Sequence, residues 1–263
     1  MNGAYKPGWF GNTLGWAVAL YLLLPITIVL PVSFTDQRFL SLPHDGLSLQ
    51  YYRNLFTSPE WLASIAQSAG IGLASTVIAV VLGTACALGC WRISRRSTEL
   101  IRAVMLLPII IPPIVYAIGL YRYFGKLGLL DSFLGVVLAH GVTGIPYVVV
   151  TVSTALASFD PRLEQAARGM GASLAQTLRW VILPRIMPGI VSGAIFAFIH
   201  SWDELLVVLF ISSRAIYTLP RRIWNGINEN LDPTMAAVAV MMIVLTVVLL
   251  LVDLAFRRKA KAD

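Results

Sequence analysis

Residues 160–188 read DPRLEQAARGMGASLAQTLRWVILPRIMP, the longest polar interruption in the second half of an otherwise apolar chain. Asp160 is a good N-cap residue, and Pro161 suits the first helical position. Glu164 and Arg168 form an i,i+4 acid–base pair in the favourable order. Leu163, Ala166, Ala167 and Met170 recur at helical spacing and make one narrow apolar stripe. Gly171 stops that helix. Ser173 and Gln176 then have the spacing of a capping box for a second helix, with Leu174, Leu178 and Val181 on one face. Pro184 and Pro188 are expected to end the unit before the next apolar run. The stretch therefore predicts two short amphipathic helices hinged at a glycine. Such a pair lies on a lipid surface or docks into a groove on a soluble partner, and these residues alone leave both open.

The surrounding chain is that of a membrane protein. It has 263 residues, 57% of them hydrophobic and 13% charged, with a mean hydropathy of +0.77. The net charge of +7 sits at the ends of apolar runs, so orientation in a bilayer explains it without a nucleic-acid partner. Cys86 and Cys90 lie four residues apart inside an apolar run and read as small packing residues, not a metal or disulfide framework. The first apolar run is too long for an ordinary signal peptide and lacks a small-residue cleavage site, so it reads as a retained span.

A membrane-crossing helix needs about 20 apolar residues. Six runs meet or approach that length: Thr13 to Phe34, Trp61 to Trp91, Ala103 to Tyr121, Ser132 to Leu156, Met187 to Ser212 and Pro233 to Phe256. The joints are short. The fold class expected is all-α: one polytopic membrane domain over residues 1–263, with six transmembrane helices and a polar helix pair at 157–186. Six spans put both ends on one side. With the amino terminus inside, 13 of the 20 Lys and Arg residues fall inside: Lys6, Arg92, Arg95, Arg96, Arg102, Arg162, Arg168, Arg179, Arg185, Arg257, Arg258, Lys259 and Lys261. Arg38, Arg53, Arg122, Lys126, Arg214, Arg221 and Arg222 fall outside. The bias favours cytoplasmic termini and puts the helix pair in the cytoplasm.

Prolines crowd three spans: Pro25 and Pro31, then Pro108, Pro112 and Pro113, then Pro146. Broken membrane helices survive where protein or a water-filled cavity satisfies the freed carbonyls, so the third run, with Tyr116, is expected to line or gate a path. The fifth run carries His200, Trp202, Asp203 and Glu204 in FIHSWDELL. Charges inside a membrane are costly and functional by default. Asp203 lies about 24 Å along a helix from Met187, and His200 has the spacing to meet either carboxylate. On one helix the two carboxylates point about 100° apart, so they are not expected to serve one ligand together. Two readings stay open: one of them pairs with His200 or a neighbouring helix for assembly, or a carboxylate lines a path for a cation. A metal site is not expected, since the other histidines, His44 and His140, lie in other segments and His140 reads as a packing residue. Tyr51, Tyr52 and Phe56, between Thr35 and Glu60, suit interface anchors or contact with an outer partner. Thr218 to Pro233 suits a short re-entrant helix, with Trp224 a belt residue or part of an outer gate.

Gln165 to Pro184, QAARGMGASLAQTLRWVILP, resembles the signature of ATP-binding-cassette importer permeases. Ala166, Ala167, Gly171, Val181, Leu183 and Pro184 fall on that pattern. Its acidic position is occupied by Gln165, with Glu164 one place earlier. The likeness extends over nearly the whole chain through LSLQYYRNLF, LLPIIIPPIVYAIGLY, AHGVTGIPYVVVTVSTAL, SWDELLVVLFIS and LPRRIWNGINENLDPTMAAV. It is nearest in its motifs to the C-type subunit of the spermidine/putrescine permease group. The resemblance implies a type I, binding-protein-dependent importer in a bacterial inner membrane, with a second permease subunit, an ATPase dimer and a periplasmic solute-binding protein. It also implies that Glu164, Gln165, Ala166, Ala167, Gly171, Leu174, Leu183 and Pro184 couple to the ATPase. A polyamine is the expected solute; an opine or amino-acid derivative is the alternative.

The chain itself is expected to bind no cofactor and to be no enzyme. Its one Gly-Lys pair, Gly125-Lys126, is followed by Leu127, so no phosphate-binding loop is present, and ATP with magnesium belongs to the partner. An intramembrane hydrolase would need a nucleophile elbow that the sequence lacks. A channel or secondary transporter would leave the coupling signature without a use.

Overall fold

The computed structural model describes residues 9–93, 95–229 and 231–262, with side chains described at all of these except 95–97 and 259–262. Lys6 and the side chains of Arg95, Arg96, Lys259 and Lys261, which entered the inside charge count, lie outside the described residues. All regular structure among the described residues is helical. In chain order the helices are α1 (Trp9–Val32), α2 (Gln50–Thr57), α3 (Pro59–Arg92), α4 (Arg95–Ile110), α5 (Pro113–Leu127) and α6 (Phe133–Ala157). Then come α7 (Pro161–Gly169), α8 (Leu174–Thr177), a π turn (Leu178–Ile182), α9 (Leu183–Asp203), α10 (Leu206–Ile211), α11 (Leu219–Glu229) and α12 (Thr234–Ala262).

Five helical stretches are long and apolar enough to cross a membrane: α1, α3, α6, the run Leu174–Asp203, and α12. The third expected span is not one straight helix. It is split into α4 and α5, which bend by 99° at residues 111–112. The cause is the Pro112-Pro113 pair: neither residue has an N–H to donate, and a proline forces the residue before it into extended backbone. Pro112 adopts φ −54°, ψ 132°, and Pro113 opens α5. Counting this bent pair as one broken span gives the expected six.

The fifth span also differs from its expected limits of Met187 to Ser212. Pro184 and Pro188 do not end the polar unit, because helix runs unbroken from Leu174 to Asp203. The π turn lies immediately before Pro184, where Leu183 N–H reaches back five residues to Leu178 O. A proline ring crowds the carbonyl four residues earlier, and a widened turn at that place relieves it. At its other end α9 stops at Asp203, Glu204 is extended (φ −75°, ψ 117°), and α10 starts afresh.

Contacts fall into two units, Met1–Ser58 with Asn225–Val244, and Pro59–Trp224 with Leu245–Asp263. In the first, α1 buries none of its residues. Tyr52 OH meets the Ser33 hydroxyl at 2.7 Å and Tyr51 OH donates to Gln37 O, so these two aromatics hold their own segment in place. Asn54 donates to Thr234 Oγ1 at 2.9 Å. The backbone N–H of His44, with that of Asp45, holds the Asp36 carboxyl below the usual carboxylate range.

In the second unit α3, α6 and α9 pack against one another. Their contact is close because glycines face branched side chains: a β-carbon on Gly83 would lie 2.7 Å from Val148 Cβ, and one on Gly193 2.9 Å from Val148 Cα. One apolar cluster joins Ala87, Val148, Val152, Leu156, Phe159, Ile182 and Ile186; a second joins Ile71, Ala117, Phe124, Val136, Val208 and Ile211. Beside the second cluster, Asp131 ties the α5–α6 joint to the segment after α10. Its carboxylate accepts from the Ser212 hydroxyl at 2.6 Å and from the N–H groups of Ser213, Arg214 and Ala215 at 2.8–3.0 Å. The Ser212 hydroxyl and those N–H groups hold it well below the usual carboxylate range.

Candidate functional site

The polar helix pair is built by local hydrogen bonds. The Asp160 carboxylate caps α7 by accepting from Arg162 N–H at 2.9 Å. Gly171 has φ +90°, where an L side chain is strained although open space surrounds its α-carbon. Ala172 N–H reaches back to Ala167 O, closing the end of α7. The capping box is present in both directions, Ser173 N–H to Gln176 Oε1 at 2.7 Å and Gln176 N–H to Ser173 Oγ at 3.3 Å. One correction concerns Glu164. It pairs not with Arg168 but with Arg92 at the end of α3, at 2.9 Å, because α7 folds back beside that helix end. The second member of the pair is no separate helix; α8 and the π turn are the N-terminal extension of α9.

The unit exposes large apolar side chains among arginines and glutamines. Ala167, Thr177 and Ile182 point inward and are buried. Leu178, Val181 and Leu183 pack against the first apolar cluster. Met170 is 84% exposed, Trp180 69% and Leu174 52%, with Gln165, Ala166 and Pro184 also exposed. Arg179 lies over the Trp180 ring at 5.2 Å. Exposed side chains of this size are of the kind that an interaction surface covers.

The second candidate site is a small cavity of about 110 Å³ where the two broken helices meet. Pro108 and Pro113 flank the α4–α5 bend, and Tyr116, Thr143, Tyr147, His200 and Glu204 supply its polar lining. Tyr116 OH donates to Ala139 O at 3.1 Å. The Tyr147 and His200 rings lie 5.1 Å apart at 33°. Glu204 Oε1 accepts from Val207 N–H at 3.1 Å, so the carboxylate caps the helix that begins where α9 ends. The premise that Asp203 and Glu204 sit 100° apart on one helix fails, since Glu204 has left the helix. His200 Nε2 has no hydrogen-bond partner among the described residues.

Of the expected path residues, the structure brings Tyr116, His200 and Glu204 together and adds Tyr147 and Thr143. Asp203 is exposed outside this cavity. Trp202 is buried and stacked on Phe198 at 5.8 Å, and Trp224 lies half exposed on α11. His140 is buried, with Nδ1 2.8 Å from the Ser201 hydroxyl, which accepts from Ser75; its Nε2 has no hydrogen-bond partner among the described residues, so it is not the fully satisfied packing residue expected. No cluster of three metal-ligating side chains occurs among the described residues. A carboxylate, two phenols and an imidazole under aromatic faces form a lining suited to a compact organic cation. The sequence reading missed Tyr147 because a lone tyrosine in an apolar run carries no signal; its helical spacing from Thr143 and His140 was the available hint.

Comparison with known proteins agrees with this architecture. The spermidine/putrescine transport system permease protein PotC of Haemophilus influenzae is 31% identical over 248 residues, 94% of this chain and 96% of the relative. The protein of the same name from Escherichia coli K12 is 29% identical over 94% of each. The trehalose transport system permease protein SugB of Mycobacterium tuberculosis is 31% identical over 92% of this chain and 90% of the relative. Among solved structures, a bacterial alginate importer in complex with a pentasaccharide-bound periplasmic protein matches 95% of this chain and 94% of its own with a TM-score of 0.73 at 14% identity. The inward-facing MetNI methionine transporter matches 78% of this chain and 98% of its own at 0.62 and 18% identity. The family described as the inner membrane component of binding-protein-dependent transport systems matches residues 79–262, a range that holds both the polar helix pair and the cavity. The chain belongs to that family and is a permease subunit of an ATP-binding-cassette importer.

Proposed function

We propose that this permease moves a polyamine, spermidine or putrescine, from a periplasmic binding protein to the cytoplasm. The observation that carries the reading is the cavity itself: the Glu204 carboxylate, with one oxygen engaged by Val207 and the other available, faces Tyr116, Tyr147 and His200 where two helices break. An amino group entering there meets a charge-assisted acceptor and aromatic faces. Two of the relatives bear spermidine/putrescine names. The working assembly contains a second permease subunit and an ATPase dimer, which holds ATP and magnesium; this chain binds no cofactor of its own. Both termini face the cytoplasm, in keeping with the arginines near Glu164 and at the end of α12. Closure of the ATPase dimer pushes the Met170–Trp180 face, and because helix is continuous from Leu174 to Asp203, the push arrives at Glu204.

The test is uptake into proteoliposomes holding the purified assembly and its cognate binding protein. ATP-dependent accumulation of labelled spermidine or putrescine is expected. Accumulation of trehalose or an amino-acid derivative, with amines excluded, would overturn the solute assignment.

A further inference from the structure

A buried acidic residue occurs near the end of the last span. Asp253 sits in α12 within DLAFRR and is only 6% exposed. A carboxylate there is costly unless paired, and it persists where it has work to do. Arg257, one turn on, lies 2.8 Å from its Oδ2, in the acid-before-base order that suits a helix. The pair does not stay within its own helix. The Ser192 hydroxyl of α9 donates to Asp253 Oδ1, and Arg257 Nε donates to Ser192 Oγ at 3.0 Å. The Arg257 guanidinium also lies 5.8 Å over the Phe196 ring, one turn further along α9. Three polar groups and one ring thus close a loop between two spans, with the Asp253 carboxylate buried and the Arg257 side chain 46% exposed.

We propose that Asp253 is a positioning residue for transport, clasping the inner half of α12 to α9 so that the two move as one body. The inference rests on the reading that α9 is driven from its docking end. Ser192 lies between that end and the break at Glu204, so the clasp takes hold of the moving rod part-way along its length. Without it, α12 loses the polar tie through Ser192 by which a displacement of α9 reaches it.

The experiment measures the α9–α12 separation by pulsed electron resonance in the complete assembly, with spin labels at Met187 and Leu254, both exposed positions. The unmodified clasp gives a narrow distribution without nucleotide and with a non-hydrolysable ATP analogue. Asp253→Asn broadens it and lowers uptake per ATP hydrolysed by at least about five-fold, the lower end of ordinary coupling energies. Should that variant insert poorly, the paired replacement Asp253→Leu with Arg257→Leu leaves no unpaired charge and gives the same broadening. Asp253→Glu restores part of the coupling. A broad distribution in the unaltered chain, or a narrow one in the variants, overturns the clasp. Absence of amine uptake in the unaltered assembly speaks against the proposed solute, while the distance measurement still decides the clasp.

Discussion

The two ends of α9 invert what their sequences suggest. The N-terminal end holds two prolines, Pro184 and Pro188, and stays helical. The C-terminal end has none, and breaks at Glu204. The difference shows that a span breaks where another hydrogen-bonding arrangement is on offer. At the N-terminal end the π turn makes room for the proline ring, and continuous helix remains the best use of the backbone. At the C-terminal end the Glu204 carboxylate takes over the Val207 N–H, and a new helix starts. One end is thus a continuous rod, which the proposed coupling uses as its transmitting end, and the other provides a cavity with a carboxylate in it.

Perturbing the transmitting end has the largest expected effect. Gly171→Val forces a branched side chain into positive φ, at a cost of about 1–3 kcal/mol, and misdirects the capping box beside it. Uptake and binding-protein-stimulated ATP hydrolysis are both expected to be lost, with membrane insertion kept. Stimulated turnover at the normal rate would break the claim that this end transmits. At the cavity end, Glu204→Gln keeps an acceptor for Val207 and removes the charge. Loss of one charge-assisted contact of about 2 kcal/mol predicts amine uptake reduced roughly thirty-fold. Asp203→Asn changes uptake less than two- to three-fold on the same scale, because Asp203 is outside the cavity. Equal effects at the two positions would remove the distinction between them.

Two smaller effects concern how each end is anchored. Asp131→Ala removes the acceptor for Ser212 and three backbone N–H groups, and its partial solvent exposure limits the expected loss to about 1–2 kcal/mol. Its folded pKa is depressed, so the native carboxylate stabilises the fold above the ordinary carboxylate pKa of about 4 and is lost as pH falls below that. A thermal-melting difference between native and Asp131→Ala that shrinks below about pH 4 checks the sign. Arg92→Ala unties Glu164, a half-exposed pair worth about 0.5–1 kcal/mol, and should lower stimulated hydrolysis only a few-fold.

The docking unit was legible residue by residue because caps, boxes and positive-φ glycines act over three or four positions. Asp160, Gly171, Ser173 and Gln176 do what their spacing says. The spans were legible as apolar length, and α3 and α6 end within two residues of their expected limits. The pairing of Glu164 with Arg92 was not, because the helical neighbour Arg168 has the same charge and only the fold chooses between them. The cavity was half legible. The Pro112-Pro113 break and the acidic pair stood out, yet nothing local says that Glu204 leaves the helix or that Tyr147 faces His200 from another span. Asp253 escaped notice because Arg257 and Arg258 beside it made the region read as an ordinary charged helix end.

The account depends above all on the exposed apolar face being seated against the ATPase. Cysteines placed at Met170 and Leu174, in a background where Cys86 and Cys90 are replaced, can be cross-linked with a short bismaleimide in the assembled transporter. A product with the ATPase subunit is expected at both positions, with a yield that changes between nucleotide-free and ATP-bound states. Labelling of both by a water-soluble maleimide in the intact assembly, with no ATPase product in either state, would contradict it.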